Sequence, residues 1–246
     1  MDEKQVGEEQ VDEARVAALR AGLETVHARI DAACAAAGRD PRDVHLVVVT
    51  KTFPAADVRA LAGLGVRDVG ESRDQEAAAK AAELADLDLR WHFVGRLQTN
   101  KAASVASYAA WVHSVDRVRL VPALAGGAER AGRTLEVLVQ VGLDTDPAEA
   151  ARRGGVAPAG VAALAEAVAA EPRLRLRGVM GVAPRQGPAR PAFERLARIG
   201  AQLRQVYPGA SAVSAGMSGD LEDAVAAGAT HLRVGSAVLG SRPPLQ

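Results

Sequence analysis

The sequence is short of several things that would define whole classes of protein. It has one cysteine, Cys34, which excludes an intramolecular disulfide and any cysteine-rich metal site. Cys34 falls in the apolar repeat of a helix, where it reads as a small buried hydrophobe. Aromatic residues make up only 3% of the chain, while 48% of it is hydrophobic. The core must therefore be built from Ala, Val and Leu. Net charge is also missing, because 30 basic residues balance 30 acidic ones. Neither an overall field nor a dense Lys/Arg run is present to gather nucleic acid or acidic lipid. No window approaches the ~18 consecutive apolar residues of a membrane span. Met1 to Gln10 is acidic and polar, unlike a signal peptide. His27, His45, His113 and His231 lack metal-ligand spacing. Together these absences predict a cytoplasmic, soluble protein with no nucleic-acid, membrane or metal partner.

What is present is a regular alternation of elements. Residues 1–8 read as a disordered tail and residues 9–246 as one domain. From Glu9 to Ala37 apolar residues recur at helical spacing (Val16, Leu19, Leu23, Val26, Ile30), and Gly38 suits the cap that ends this helix. Eight β-rich runs follow, at about 45–50, 66–70, 89–94, 110–115, 135–141, 174–182, 212–215 and 231–234, each trailed by a helical pattern. Strand runs such as Leu46-Val47-Val48-Val49 predict a parallel sheet covered by helices. Eight such units close into an α/β fold of the (β/α)8 TIM-barrel type, here with an extra N-terminal helix. An open doubly wound sheet is the competing fold, and no Gly-x-Gly-x-x-Gly follows the first strand to support it. The stretches 144–156 and 184–190, rich in Gly, Pro and Arg, read as mobile loops.

In such barrels the working groups sit at the C-terminal ends of the strands. Those positions hold Lys51 after the first strand, Glu71 and Ser72 after the second, and His92 near the end of the third. Ser214, Met217 and Ser218 follow the seventh, and Arg233, Gly235 and Ser236 lie at the eighth. The last two groups carry glycines and hydroxyls before helix starts, the composition of a phosphate cup. A small residue there matters because a Cβ would hold a phosphate away from the amides. Lys51 follows an apolar strand where a solvated lysine has no structural task. Burial disfavours the ammonium form of a lysine, and the neutral amine condenses with aldehydes. A phosphate-bearing aldehyde uses both features, and pyridoxal 5′-phosphate is the first candidate. His92, inside a buried-looking strand, reads as a core or ring-contacting histidine rather than a general base. Asp220, Glu222 and Asp223 crowd the start of a helix, where carboxylates suit the positive end of the dipole.

Longer stretches carry a resemblance. Val48-Val-Thr-Lys-Thr-Phe-Pro54, Gly70-Glu71, Trp91-His-Phe-Val-Gly95, Leu97-Gln-Thr-Asn-Lys101, Ser114-Val-Asp116, Arg175-Leu-Arg-Gly-Val-Met180, Gly216-Met-Ser-Gly-Asp220 and Arg233-Val-Gly-Ser236 appear in order along nearly the whole chain. Together they resemble the pyridoxal phosphate homeostasis proteins, the YggS/PROSC family. The resemblance implies an alanine racemase N-terminal-domain-like barrel standing alone. It also implies pyridoxal 5′-phosphate as cofactor, with Lys51 as the Schiff-base lysine. Ser218, Gly235 and Ser236 then hold the phosphate, Ser214 and Met217 line the same cup, and Ser72 and His92 complete the pocket. Arg233 matches the position facing the pyridine nitrogen. A permanently charged donor there leaves that nitrogen unprotonated and the ring a poor electron sink. The chain departs from the family where Gly70-Glu-Ser-Arg73 replaces the usual Gly-Glu-Asn-Tyr. It departs again where Arg153-Gly-Gly155 replaces Lys-Ser-Gly.

The function that follows is storage, delivery or buffering of the cofactor without dedicated turnover. Apo-enzymes that use pyridoxal phosphate are the candidate recipients, and the carrier itself is a monomer or weak dimer. The competing function is an amino-acid racemase. That reaction needs bases on both faces of the substrate, and the sequence runs out shortly after its last barrel turn, leaving no C-terminal β domain to supply one. Tyr108 and Tyr207 are expected on outer helices.

Overall fold

The computed structural model describes residues 11–144 and 146–241. The tail expected over residues 1–8 lies outside them, as do Glu9 and Gln10 of the first predicted helix. That helix, α1 (Glu13–Ala37), starts where the Asp12 side chain accepts a 2.7 Å hydrogen bond from the Arg15 amide. It ends at Gly38 in the left-handed conformation. Its apolar face, Leu19, Leu23, Val26, Ile30 and Cys34, is buried. Arg15 joins it to the barrel by a two-pronged pair with buried Asp57 at 2.6 and 3.1 Å.

Eight strands then alternate with helices: β1 (His45–Val49), α2 (Ala55–Gly63), β2 (Asp68–Glu71), α3 (Asp74–Glu83), β3 (Arg90–Phe93), α4 (Ala102–Tyr108), β4 (Trp111–Val115) and α5 (Val121–Arg130). The second half runs β5 (Leu135–Gln140), α6 (Pro147–Arg153), α7 (Val161–Ala169), β6 (Leu174–Met180), α8 (Ala189–Val206), β7 (Ala212–Ser214), α9 (Leu221–Ala226), β8 (His231–Val234) and α10 (Ser236–Leu239). All eight strands pair in parallel, in sequence order, and β8 closes on β1 through His45↔His231, Val47↔Arg233 and neighbouring pairs. The open doubly wound alternative is thereby excluded. One expectation needs correction: residues 147–153 of the predicted 144–156 loop form α6. Its Glu149 in the first turn and Arg152 and Arg153 in the last suit the helix dipole, a charge pattern that the flanking Gly and Pro residues obscure. Among the described residues no helix is long and apolar enough to cross a membrane.

Strand alternation sorts the side chains into two regions. The outward faces of the strands pack against the helices in one continuous apolar core, which includes Val48, Val69, Val112, Val137, Leu232 and Val234. Inside the barrel the apolar part is small: Leu138, Met180 and Ala212, with Trp111 and Val182 against them. Val47 and Val49 also face inward beside Gly70, and the interior holds buried His92, His113, Gln140, Ser214 and Arg233 alongside them. This departs from the branched apolar layers usual in such barrels, and it places charge and hydrogen-bonding capacity on the axis.

Candidate functional site

At the C-terminal mouth of the barrel lies a cavity of about 410 Å³. Its wall includes Lys51, Phe53, Ser72, Gly95, Val182, Met217, Ser218, Arg233, Gly235 and Ser236, so seven of the nine residues expected at the cofactor converge there.

Lys51 stands on a segment clamped from both sides. On one side, Thr50 donates its hydroxyl to Glu71 Oε1 at 2.7 Å, and its carbonyl accepts from Lys80 Nζ at 2.9 Å. On the other, the Thr52 amide donates to Glu76 Oε1 at 2.5 Å. Lys80 ties the two sides together, reaching Glu71 at 2.8 Å and Glu76 at 2.7 Å. Burial pushes the Glu71 carboxyl up, against the pull of Lys80 and Thr50. Thr52 has φ 70°, the one non-glycine residue with positive φ among those described. A β-branched residue in that conformation costs about 1–3 kcal/mol, and the Glu76 contact supplies one of the restraints holding it. Strain of this kind, next to the lysine, belongs with a side chain that must be presented at a fixed angle.

The opposite wall comes from the loops after β7 and β8. Ser218 Oγ accepts from the Ser236 hydroxyl at 3.2 Å and from the Ala237 amide at 3.3 Å. The two predicted halves of the cup therefore touch, with α10 starting behind them. A Cβ on Gly235 would stand 3.0 Å from the Val49 carbonyl oxygen, so this glycine permits a close approach to β1. Gly216 turns the chain into the cup with φ 87°, and a Cβ there would lie 2.6 Å from that of Ala224. Gly216→Ala is therefore expected to cost about 2–3 kcal/mol through positive φ and overpacking. Thermal unfolding measures it, and an unaltered midpoint would show that the turn relaxes freely. The start of α9 partly follows the helix-dipole expectation. Asp220, just ahead of it, accepts from the Met217 amide at 2.6 Å, while Glu222 pairs with Arg29 across to α1 at 2.7 Å.

Arg233 forms the floor of the cavity. Its guanidinium is buried, donating to Ser214 Oγ at 2.5 Å and to the Gly181 carbonyl at 2.9 Å. Burial pushes its pKa down to about 10, with Asp220 acting in the opposite sense, so it remains charged at neutral pH. No carboxylate contacts it among the described residues. Ser214 is thus placed differently from the expectation: it is fully buried behind Arg233, not on the cup. His92 is also displaced. It lines a separate basin of about 550 Å³ at the N-terminal mouth, with Asp68, Trp111 and His231. Its position on β3 points the ring down the axis, toward Asp68 at 2.8 Å and His113 at 2.9 Å. Ser72, by contrast, borders both the cavity and an adjoining one of about 490 Å³ lined by Arg73, Arg96 and Lys101. Arg153 is not among the residues lining either cavity and donates to the Ala183 carbonyl.

Sequence reasoning missed Lys80, Glu76 and Asp68. The signal for the first two was available: Glu76 and Lys80 are four apart on α3 and face the Glu71 end of β2. The signal for Asp68 was its two-residue offset from Gly70 on a barrel strand, which puts it on the inner face.

A closed parallel barrel with a lysine after β1 and a hydroxyl-rich cup after β7 and β8 defines a relative of the N-terminal domain of the alanine racemases. The family model for the alanine racemase N-terminal domain matches residues 16–243. The chain is 43% identical over 217 residues to the pyridoxal phosphate homeostasis protein of Pseudomonas aeruginosa, covering 88% of this chain and 93% of that one. Its namesake in Escherichia coli is 36% identical over 226 residues, covering 89% and 95%. Among solved structures, PipY of Synechococcus elongatus with pyridoxal phosphate bound superposes with a TM-score of 0.78 at 34% identity, covering 90% of this chain and all of that one. Alanine racemase from Corynebacterium glutamicum, at 16% identity and a TM-score of 0.64, shares the fold. The chain belongs to the pyridoxal phosphate homeostasis family, the YggS/PROSC family.

Proposed function

We infer that this protein binds pyridoxal 5′-phosphate in the C-terminal cavity and serves cofactor homeostasis without dedicated turnover. The observation that carries the reading is convergence. One cavity brings together an amine (Lys51), a hydroxyl and amide cup (Ser218, Gly235, Ser236) and a buried cation with no carboxylate contact (Arg233). A volume of about 410 Å³ lies in the range of small-ligand sites, roughly 300–1,000 Å³.

The residues fit the cofactor part by part. Ser218, Ser236 and the amides around Gly235 would hold the phosphate. Lys51 would provide the amine, Ser72 and Met217 would border the ring, and Arg233 would face the pyridine nitrogen as a donor. When bound, the cofactor supplies an aldehyde for a Schiff-base link and a ring able to take up electrons. Arg233 limits the second capacity, because a guanidinium donates a hydrogen bond and leaves the nitrogen without a proton. No His, Tyr, Asp, Glu or Cys is among the residues lining the cavity. Tyr108 sits at the end of α4 and Tyr207 just after α8. No second base for racemisation therefore lines this cavity, which supports carriage over catalysis.

We further infer one domain over residues 9–246, a cytoplasmic monomer or weak dimer with no nucleic-acid or membrane partner, and apo-enzymes as recipients of the cofactor. The test is to mix the loaded protein with an apo-enzyme acceptor and, in a separate sample holding the loaded protein alone, to follow α-proton exchange on a panel of amino acids. Activation of the acceptor with negligible exchange is expected. Rapid exchange on any one amino acid would favour the racemase.

A further inference from the structure

We propose that Asp68, His92, His113 and Ser214 form one polarised column of hydrogen bonds that orients Arg233 from the opposite mouth of the barrel. Its consequence at the cofactor rests on the site proposed above, and its existence on the distances between its own side chains. Together with Arg233, its members come from five strands. Asp68 Oδ1 is 2.8 Å from His92 Nε2 and His92 Nδ1 is 2.9 Å from His113 Nε2. His113 Nδ1 is 2.9 Å from Ser214 Oγ, which accepts from Arg233 at 2.5 Å. Trp111 stacks on the His92 ring at 5.6 Å and 9°, which fixes the plane of that ring.

The protons in this column can be assigned from one end. An ionised carboxylate only accepts, so His92 must carry its proton on Nε2. Burial lowers the pKa of His92 and still more that of His113, so each ring is neutral with a single proton. His92 Nδ1 then accepts, and His113 must donate from Nε2. His113 Nδ1 accepts in turn, so the Ser214 hydroxyl donates to it and keeps its lone pairs for Arg233. Every bond points the same way, from the guanidinium to the carboxylate. Such chains polarise each other. Reversing the His92 ring would set a lone pair against the Asp68 carboxylate, and reversing His113 alone would set one against His92 Nδ1.

This arrangement accounts for a cation that lies on the barrel axis without a carboxylate beside it. Arg233 and Asp68 are the charged ends of a string of neutral dipoles. Burial would raise the Asp68 carboxyl, yet hydrogen bonds from His92 and Arg90 outweigh it and hold the pKa at about 2. Asp68 is thus a positioning residue that acts on the cofactor site through three others. His92 has the same standing: it serves the cofactor at a distance, not by contact.

Two-bond 1H–15N spectra of the ligand-free protein test the column directly. Both His92 and His113 are expected as Nε2–H tautomers. A proton on Nδ1 of either ring overturns the proposal, and this arm needs no variant. In the second arm, Asp68→Asn is compared with Arg90→Gln, which removes the exposed partner of Asp68 at 2.5 Å and leaves the column intact. Asp68→Asn is expected to shift the His113 nitrogens, although the two residues do not touch. It should also weaken pyridoxal phosphate binding about tenfold, the worth of one hydrogen bond to a charged group, and move the absorption band. Arg90→Gln should leave all three unchanged. An Asp68→Asn protein with native His113 signals and a native band would refute the column. Failure of the wild-type protein to bind the cofactor would refute the cofactor reading instead, and the tautomers would still decide the column.

Discussion

Lys51→Ala protein mixed with pyridoxal 5′-phosphate is expected to show only the absorption of the free aldehyde, whereas the wild-type protein develops a separate Schiff-base band as the link forms. Removing the amine removes the only covalent contact proposed, while Ser218, Gly235, Ser236 and Arg233 would still offer the proposed phosphate cup and ring donor. Binding should therefore persist in weakened form, reduced on the order of 100-fold, or about 2.7 kcal/mol. Lys51 is half-buried, and the clamp on its neighbours uses backbone and Thr50 atoms only. The ligand-free variant should accordingly unfold within about 1 kcal/mol of the wild type. The difference should appear only when cofactor is present, because a ligand stabilises what it binds in proportion to its affinity. Equilibrium titration and thermal unfolding with and without cofactor check both halves. Equal affinity in variant and wild type would place the aldehyde elsewhere.

Lys80→Met has the second large effect, and it acts on folding. Lys80 is 8% exposed and Glu71 1%. Taking away the cation leaves a buried carboxylate without its counter-charge, which costs about 3–5 kcal/mol. At roughly 2–4 °C per kcal/mol for a chain of this size, the melting midpoint should fall on the order of 10 °C. Loss of the Lys80 contacts also frees the Thr50 carbonyl and loosens Glu76, so Thr52 loses part of what holds its strained backbone. Cofactor affinity should drop with stability. The double variant Glu71→Gln/Lys80→Met separates the contributions, since it removes the stranded charge along with its partner. Partial recovery of the midpoint is expected, without full recovery of affinity. A single variant within about 1 kcal/mol of the wild type would show that the cluster carries little of the local structure.

The barrel was legible because its signals are local and repeated. Apolar runs such as 46–49 and 135–139 announce parallel strands, and the end of each run announces the catalytic face. Lys51, Ser218, Gly235 and Ser236 could be placed from that rule alone. The rule failed for Ser214 and His92 because the end of a strand has two faces and a depth. Ser214 is the last residue of β7, yet it points to the axis below the cavity. His92 precedes the last residue of β3 and aims toward the far mouth. Depth depends on strand stagger around the closed barrel, and stagger is a property of eight strands together. The ion cluster under Lys51 was hidden for a related reason: it joins β1, β2 and α3, and nothing in the pattern of α3 announces a buried lysine. Helix α6 was masked by the glycines that follow it at 154 and 155.

The interior polarity has a functional reading that the outer core lacks. An all-apolar axis would leave Arg233 without acceptors and would drive its charge out of the barrel. Gly181 and Ser214 supply two acceptors, and the histidines behind Ser214 set its hydroxyl. Cavity and axis therefore form one unit in which the axis fixes the donor and the mouth fixes the amine.

The chain contains four lysines, Lys4, Lys51, Lys80 and Lys101, which makes one measurement decisive. The loaded protein is treated with borohydride to make the link permanent, digested, and mapped by mass spectrometry. Cofactor mass on the peptide carrying Lys51, and on no other lysine, is the predicted result. Mass on Lys80 or Lys101 with Lys51 unmodified would contradict the account at its base.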